Sequence, residues 1–139
     1  MKKPVIIDIP MKMQKFFGVK GKMLLPEIEM VEGLICLIPL GKIATIGTLA
    51  NKMAKDFNTD VSCPMRTGNA VKKIIERFSS NSFDNSLPYW RVVKKNKEII
   101  NSNYYELCAS KLEDEGFKLS YPKSGKIKLN FEVTDLFVF

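Results

Sequence analysis

The strongest constraint on this chain is a pair of helical periodicities set end to end. Ile46, Leu49, Ala50 and Met53 fall on one face of a helix over about residues 46–57. Ala70, Val71, Ile74, Ile75 and Phe78 do the same in a longer helix that begins at Pro64 and runs to about Ser79. Thr45 is placed to cap the first, because a threonine hydroxyl can accept an N–H of the opening turn. Asn58 to Ser62 reads as the connecting turn, and Pro64 suits the first position of the second helix. Two helices joined in this way, the second with Lys72, Lys73, Glu76 and Arg77 on its outer side, make a helix-turn-helix candidate. Neither apolar stripe is stable in water, so the flanking segments must supply the other side of a core.

Those segments are readable in order. From Glu27 to Leu37, Ile28, Val31 and Ile35 recur at helical spacing between Pro26 and Pro39, with Ile38 continuing the series. A turn at Ile38–Gly41 leads into a short extended piece ending at Thr45. Leu87-Pro88-Tyr89-Trp90-Arg91-Val92-Val93 follows a loop rich in Ser and Asn and reads as entry into a strand. A hairpin-like segment from Val92-Val93 to Glu98-Ile99-Ile100 carries Lys94, Lys95, Asn96 and Lys97 at its tip, a basic wing. The last helix, about 103–115, places Tyr104, Leu107, Cys108 and Leu112 on one side and stops at Gly116. Residues 1–25 read as a β-containing, loop-rich arm around the strand candidate Val5-Ile6-Ile7. Residues 118–139 read as a strand-like tail, from the alternating runs Lys126–Val133 and Leu136–Phe139. The expected architecture is α+β, a winged helix-turn-helix unit over 26–117 flanked by arm and tail.

Composition narrows the chemistry. The chain of 139 residues has a formal net charge of +7, which suits a polyanionic partner, although a merely solubilising surface has the same signature. Histidine is absent, which removes Cys-His and Ser-His-Asp catalysis and the commonest metal ligand. Cys36, Cys63 and Cys108 are widely spaced, with no C-x-x-C pair, so neither a disulfide framework nor a metal site is expected. Cys36 and Cys108 read as core residues; Cys63 is placed at or just before a helix start. No run of about 18 apolar residues is present, and Asp8, Lys12 and Lys15 interrupt any signal-like segment. The expectation is a cytoplasmic monomer with no membrane partner and no cofactor.

Taken together, Ile38-Pro39-Leu40-Gly41-Lys42-Ile43-Ala44-Thr45-Ile46-Gly47, Gly68-Asn69-Ala70, Leu87-Pro88-Tyr89-Trp90-Arg91-Val92-Val93 and Glu115-Gly116 resemble, in order and spacing over roughly residues 28 to 117, the C-terminal domain of the alkylguanine-DNA alkyltransferases. The resemblance implies a winged helix-turn-helix DNA-binding domain whose third helix lies in the minor groove of double-stranded DNA. In that family the motif reads Pro-Cys-His-Arg; its cysteine takes the alkyl group, and histidine and glutamate relay a proton. Here Tyr89 stands at the cysteine position, Trp90 at the histidine position and Glu115 at the relay glutamate. A phenol ordinarily ionises at about pH 10 and is a poor nucleophile at neutral pH unless strongly activated; with no histidine to activate it, the family's reaction is not expected. Alkyltransferase-like proteins also lack the cysteine; they bind alkylated DNA and leave the lesion to a repair-pathway protein. This chain is similar to them in logic and differs in letters. It is similar also to alkyltransferase-domain proteins with Pro-Tyr-Trp-Arg-Val and a Cys-Pro before the third helix, here Cys63-Pro64.

The resemblance also assigns residues. Thr45, Met65, Arg66, Thr67, Gly68, Asn69, Lys72, Lys73, Lys94, Lys95 and Lys97 form the candidate DNA-contacting set. The run Thr67 to Ala70 is the close-approach surface, because glycine inside a helix costs about 1 kcal/mol and so implies a tight neighbour, whether DNA backbone or another helix. Ile46 replaces the family tyrosine that crowds the phosphate. The intercalating arginine falls on Met65, with Arg66 one place along and so rotated by about 100°. Tyr89, Trp90, Arg91 and Glu115 form the candidate base pocket; the two rings either stack on a flipped, alkylated guanine or fill the core. Three functions follow: a non-enzymatic reader of alkylated or unusual bases, a winged-helix regulator without base flipping, or an acceptor enzyme using Cys63 or Tyr89.

Overall fold

Nearly every apolar stripe read from the sequence ends in one core beneath the long central helix. The structure, a computed structural model, describes residues 5–80, 86–100 and 103–139; the Ser/Asn-rich loop at 81–85 lies outside them. Strand β1 (Val5–Asp8) is followed by helix α1 (Met11–Phe17) and strand β2 (Lys22–Leu25). Helix α2 (Ile28–Ile35), strand β3 (Ala44–Thr45) and helix α3 (Ile46–Asp56) come next. Strand β4 (Val61–Ser62) leads into α4 (Pro64–Ser79), with Pro64 in its first turn. A single 3₁₀ turn over Tyr89–Arg91 precedes β5 (Val92–Val93). Helix α5 (Tyr105–Asp114) and strands β6 (Lys118–Ser120) and β7 (Lys128–Asn130) complete the chain, with a second 3₁₀ turn at Val133–Asp135.

Helix α4 packs on α2 and α3, and the 3₁₀ turn wedges between α4 and α5. Val31, Ile35, Leu49, Val71, Ile74, Ile75 and Leu112 are fully buried there. At about 25 cal/mol per Å² of apolar surface, such burial is the main stabilising term. Thr45 caps α3 as expected, its hydroxyl accepting the Thr48 N–H at 3.1 Å. The wing also forms: Val93 bridges Ile99, the Lys94 N–H donates to the Glu98 carbonyl at 2.9 Å, and Lys97 takes a positive φ of 73° at the turn.

Several expectations need correction. The arm is not loop-rich, because α1 occupies its middle; Gly18 closes that helix in the left-handed region. Asn58–Ser62 is more than a turn. Its end forms β4, which runs parallel to β2, while β2 pairs antiparallel with β1. The connection between the two long helices is thereby tied to the arm. The Lys22 N–H donates to the Asp60 carboxylate at 2.8 Å and the Cys63 N–H to the Leu24 carbonyl at 2.9 Å. Gly21 makes the crossing possible: it sits at φ 143°, and a Cβ there would lie 2.0 Å from Asp60 Oδ2. Residues Tyr89 to Arg91 turn before the strand starts, since Pro88 supplies no N–H to a ladder. Cys36 is exposed just past the end of α2, not core; Cys108 is buried as expected.

Candidate nucleic-acid interface

The outer side of α4 follows from the same periodicity that buries its inner side. Met65, Arg66, Asn69, Lys72 and Lys73 are exposed along one stripe. Met65 stands out from the first turn, with 71% of its surface exposed. Arg66, Asn69 and Lys73 also border a cleft of about 280 Å³ shared with Glu27 and Ile28 of the α2 start. Thr67 does not belong to this surface. It is fully buried, and its hydroxyl donates back to the Cys63 carbonyl at 2.8 Å. Thr67 lies three and four residues before Ala70 and Val71, in phase with the buried stripe, and the bond to the carbonyl four places back satisfies its hydroxyl there. Gly68 has no tight neighbour either: a Cβ there would meet only Ile46 Cδ1, at 3.7 Å. The glycine is therefore not required by packing within the protein. Thr45 is occupied as a cap, its hydroxyl 2.9 Å from that of Thr48.

The wing lysines divide. Lys95 is exposed at the tip. Lys94 pairs with Glu98 at 3.8 Å. Lys97 turns onto the tail, donating to the Phe131 carbonyl at 3.3 Å with its ammonium 5.3 Å from the Phe131 ring centre. Its contribution to a solvent-facing patch is correspondingly reduced.

Tyr89, Trp90, Arg91 and Glu115 are brought together as expected, but not as an open pocket. Tyr89 is 1% exposed and meets Trp90 edge to face, with ring centres 5.0 Å apart. It offers no free face for a base, so as a pocket wall it is corrected to a core residue. Pro88 turns the chain so that Trp90 points toward the end of α5, where Glu115 closes the helix. The indole N–H donates to the Glu115 carboxylate. Arg91 holds that carboxylate as well, with Nε 2.9 Å from Oε1 and an Nη 3.0 Å from Oε2, and donates its other Nη to the Ile38 carbonyl at 2.7 Å. A planar guanidinium suits this forked contact. Lys111, one turn before Glu115 and unmarked in the sequence reading, lies 4.6 Å from the Trp90 ring centre, within cation–π range. Cys36, Pro88, Trp90, Arg91, Lys111, Asp114 and Glu115 rim a cleft of about 450 Å³. The sequence did hold a sign of Lys111, its spacing four residues before Glu115 on one helix face.

Cys63 is buried in a small second cluster with Ile9 and Met23, beneath the arm. Both Cys63 and Tyr89 are buried residues. Among the described residues no cluster of His, Cys, Asp and Glu is arranged to hold a metal ion, and no helix is long and apolar enough to cross a membrane.

These elements define an α+β fold in which a central helix with a basic outer side, a wing and a proline-entered turn converge on one core. No protein-family model and no curated protein matches the chain. Its structure is similar to that of S. pombe ATL in complex with DNA, with a TM-score of 0.58 and 22% sequence identity over 80% of this chain and 94% of that one. It is similar also to S. pombe Atl1 in complex with damaged DNA containing O6-carboxymethylguanine, with a TM-score of 0.59 and 20% identity over the same shares. The chain has the fold of the alkyltransferase-like proteins.

Proposed function

We propose that the protein is a non-catalytic DNA-binding protein that recognises alkylated or unusual bases in duplex DNA and leaves their removal to another repair activity. The exposed stripe of α4 carries this reading. It places a large apolar side chain, Met65, at the leading turn of a helix whose outer face is otherwise Arg66, Asn69, Lys72 and Lys73. Cations on that face neutralise phosphates, while an apolar side chain can insert between base steps and unstack them. The solved neighbours of this fold, bound to DNA and to DNA with an alkylated guanine, support the same partner. Where the alkyltransferases keep a cysteine, this chain buries Tyr89; where they keep a histidine, Trp90 gives its N–H to Glu115. The indole takes over the hydrogen bond to the glutamate but has no acceptor nitrogen with which to pass a proton on.

Burial of Tyr89 favours a second reading, a winged-helix binder that contacts DNA without flipping a base. Trp90 separates the two, as the chain's sole tryptophan. A lesion reader quenches or shifts its fluorescence with a duplex containing O6-alkylguanine and not with the unmodified duplex. An equal response to both favours the plain binder, and no salt-dependent binding to either removes both. Intact mass after incubation with the alkylated duplex stays unchanged for a non-catalytic protein; an added alkyl group overturns that part of the reading.

A further inference from the structure

The wing does not stand alone. Beyond α5 the tail returns alongside it: the Ile99 N–H donates to the Ile127 carbonyl at 3.0 Å, the Leu129 N–H to the Lys97 carbonyl at 2.8 Å, and Glu98 bridges Lys128. Strand β7 is paired on its other edge with β6, in the register Lys118↔Asn130, Leu119↔Leu129, Ser120↔Lys128. Wing, β7 and β6 thus form one continuous antiparallel surface. The two-residue alternation of strands sorts its faces. Ile127, Leu129 and Phe131 point inward and are buried, whereas Lys118, Ser120, Lys126, Lys128 and Asn130 are exposed on the outer face. Lys94 and Lys95 continue that surface on the wing. Glu98 is paired into this surface, where Lys94 answers its charge, and exposed Glu132 follows Asn130 in the same alternation. Between wing and tail a groove of about 270 Å³ is lined by Lys94, Glu98, Tyr105, Ser124 and Lys126, two lysines against one carboxylate.

The rest of the tail holds this surface in place. The Ile43 N–H donates to the Asp135 carbonyl at 2.9 Å and the Phe137 N–H to the Ile43 carbonyl at 2.8 Å, while Lys42 reaches the Thr134 carbonyl. Ile43 lies immediately before the strand and cap of α3, so the tail is fastened to the helix-turn-helix as well as to the wing. The basic face is thus hydrogen-bonded to the body of the protein on both sides and is not a loose tether.

We propose that the C-terminal tail widens the wing into a basic three-stranded face, with Lys118, Lys126 and Lys128 as phosphate-contacting residues that lengthen the DNA footprint beyond the recognition helix. This rests on the duplex-binding reading above and adds a second contact surface to it. Phosphate contacts are sequence-independent and release counterions, so their signature is the dependence of affinity on salt.

The test compares the full-length protein with a Lys118→Gln/Lys126→Gln/Lys128→Gln variant and with a Lys72→Gln/Lys73→Gln variant, on short and long unmodified duplexes across a salt series. All five side chains are exposed, and unfolding midpoints should match the parent. If the tail lysines sit on phosphates, the first variant loses up to about 2.7 from the magnitude of the log–log salt slope, from about 0.9 per contact. It should also lose the parent's preference for the longer duplex. A parent-like slope and length dependence in that variant, with the Lys72/Lys73 variant weakened, overturns the tail surface while leaving the DNA-binding reading intact. Absence of salt-dependent binding by the parent protein overturns both.

Discussion

Arg91 and Glu115 meet at 2.9 Å with side chains only 13% and 8% exposed, joining the turn after Pro88 to the end of α5. The same carboxylate accepts the Trp90 N–H, and Arg91 reaches on to the carbonyl of Ile38. Arg91 and Glu115 together therefore fasten three segments distant in sequence. Glu115→Ala would leave a guanidinium without its partner in a mostly dry site, a change that typically costs about 3–5 kcal/mol. Glu115→Gln keeps an acceptor for the indole N–H and should cost less. Urea unfolding followed by Trp90 fluorescence ranks the two; an alanine variant as stable as the parent would show the cluster to be dispensable.

Gly68 separates packing from binding. A Cβ at this position finds only ordinary contact with Ile46, so Gly68→Ala should raise stability by up to about 1 kcal/mol through helix propensity. If DNA backbone approaches α4 there, the same variant binds duplex more weakly despite its greater stability. Unfolding curves and a duplex titration on one preparation measure both.

Thr45 is expected to act through α3. Removal of its cap in Thr45→Ala should lower stability by about 1 kcal/mol, and Thr45→Ser should recover most of it, because the hydroxyl that accepts the Thr48 N–H is retained. Affinity for DNA should follow the folded fraction alone.

Burial pushes the Cys108 thiol up to about 12, with nearby Lys111 and a backbone hydrogen bond opposing the shift. The folded protein thus holds a proton that the unfolded chain releases near its ordinary value of about 9. The stability linked to this group is complete below about pH 9 and is lost as pH rises toward about 12. Cys108→Ala should flatten the alkaline decline in stability, whatever its effect at neutral pH. At pH 8 a thiol reagent should modify exposed Cys36 first and reach Cys63 and Cys108 only on unfolding.

Helical spacing alone located α2, α3, α4 and α5 to within a few residues, because each buries a stripe whose period is a local property of the chain. The wing was equally legible in its basic tip between β-branched runs. The arm was harder: α1 spans only Met11–Phe17 and its packing pair, Met13 and Phe17, is too short a stripe to read, and β4 is two residues long and exists through its pairing with β2. Thr67 looked like an exposed polar residue but falls in phase with Ala70, Val71 and Ile74, and the Cys63 carbonyl one turn earlier satisfies its hydroxyl inside.

For the site, the residue letters alone determined what chemistry was absent: no histidine anywhere, a tyrosine at the acceptor position and a tryptophan beside it. They also determined that Lys72 and Lys73 lie opposite the apolar stripe of α4. Only the tertiary structure decided that Tyr89 fills the core, that Trp90 and Arg91 share one glutamate, and that the tail joins the wing as a basic sheet. The reason is physical. Periodicity and capping depend on neighbours within a turn or two, whereas burial, ion pairing and sheet edges depend on which distant segment arrives to exclude water.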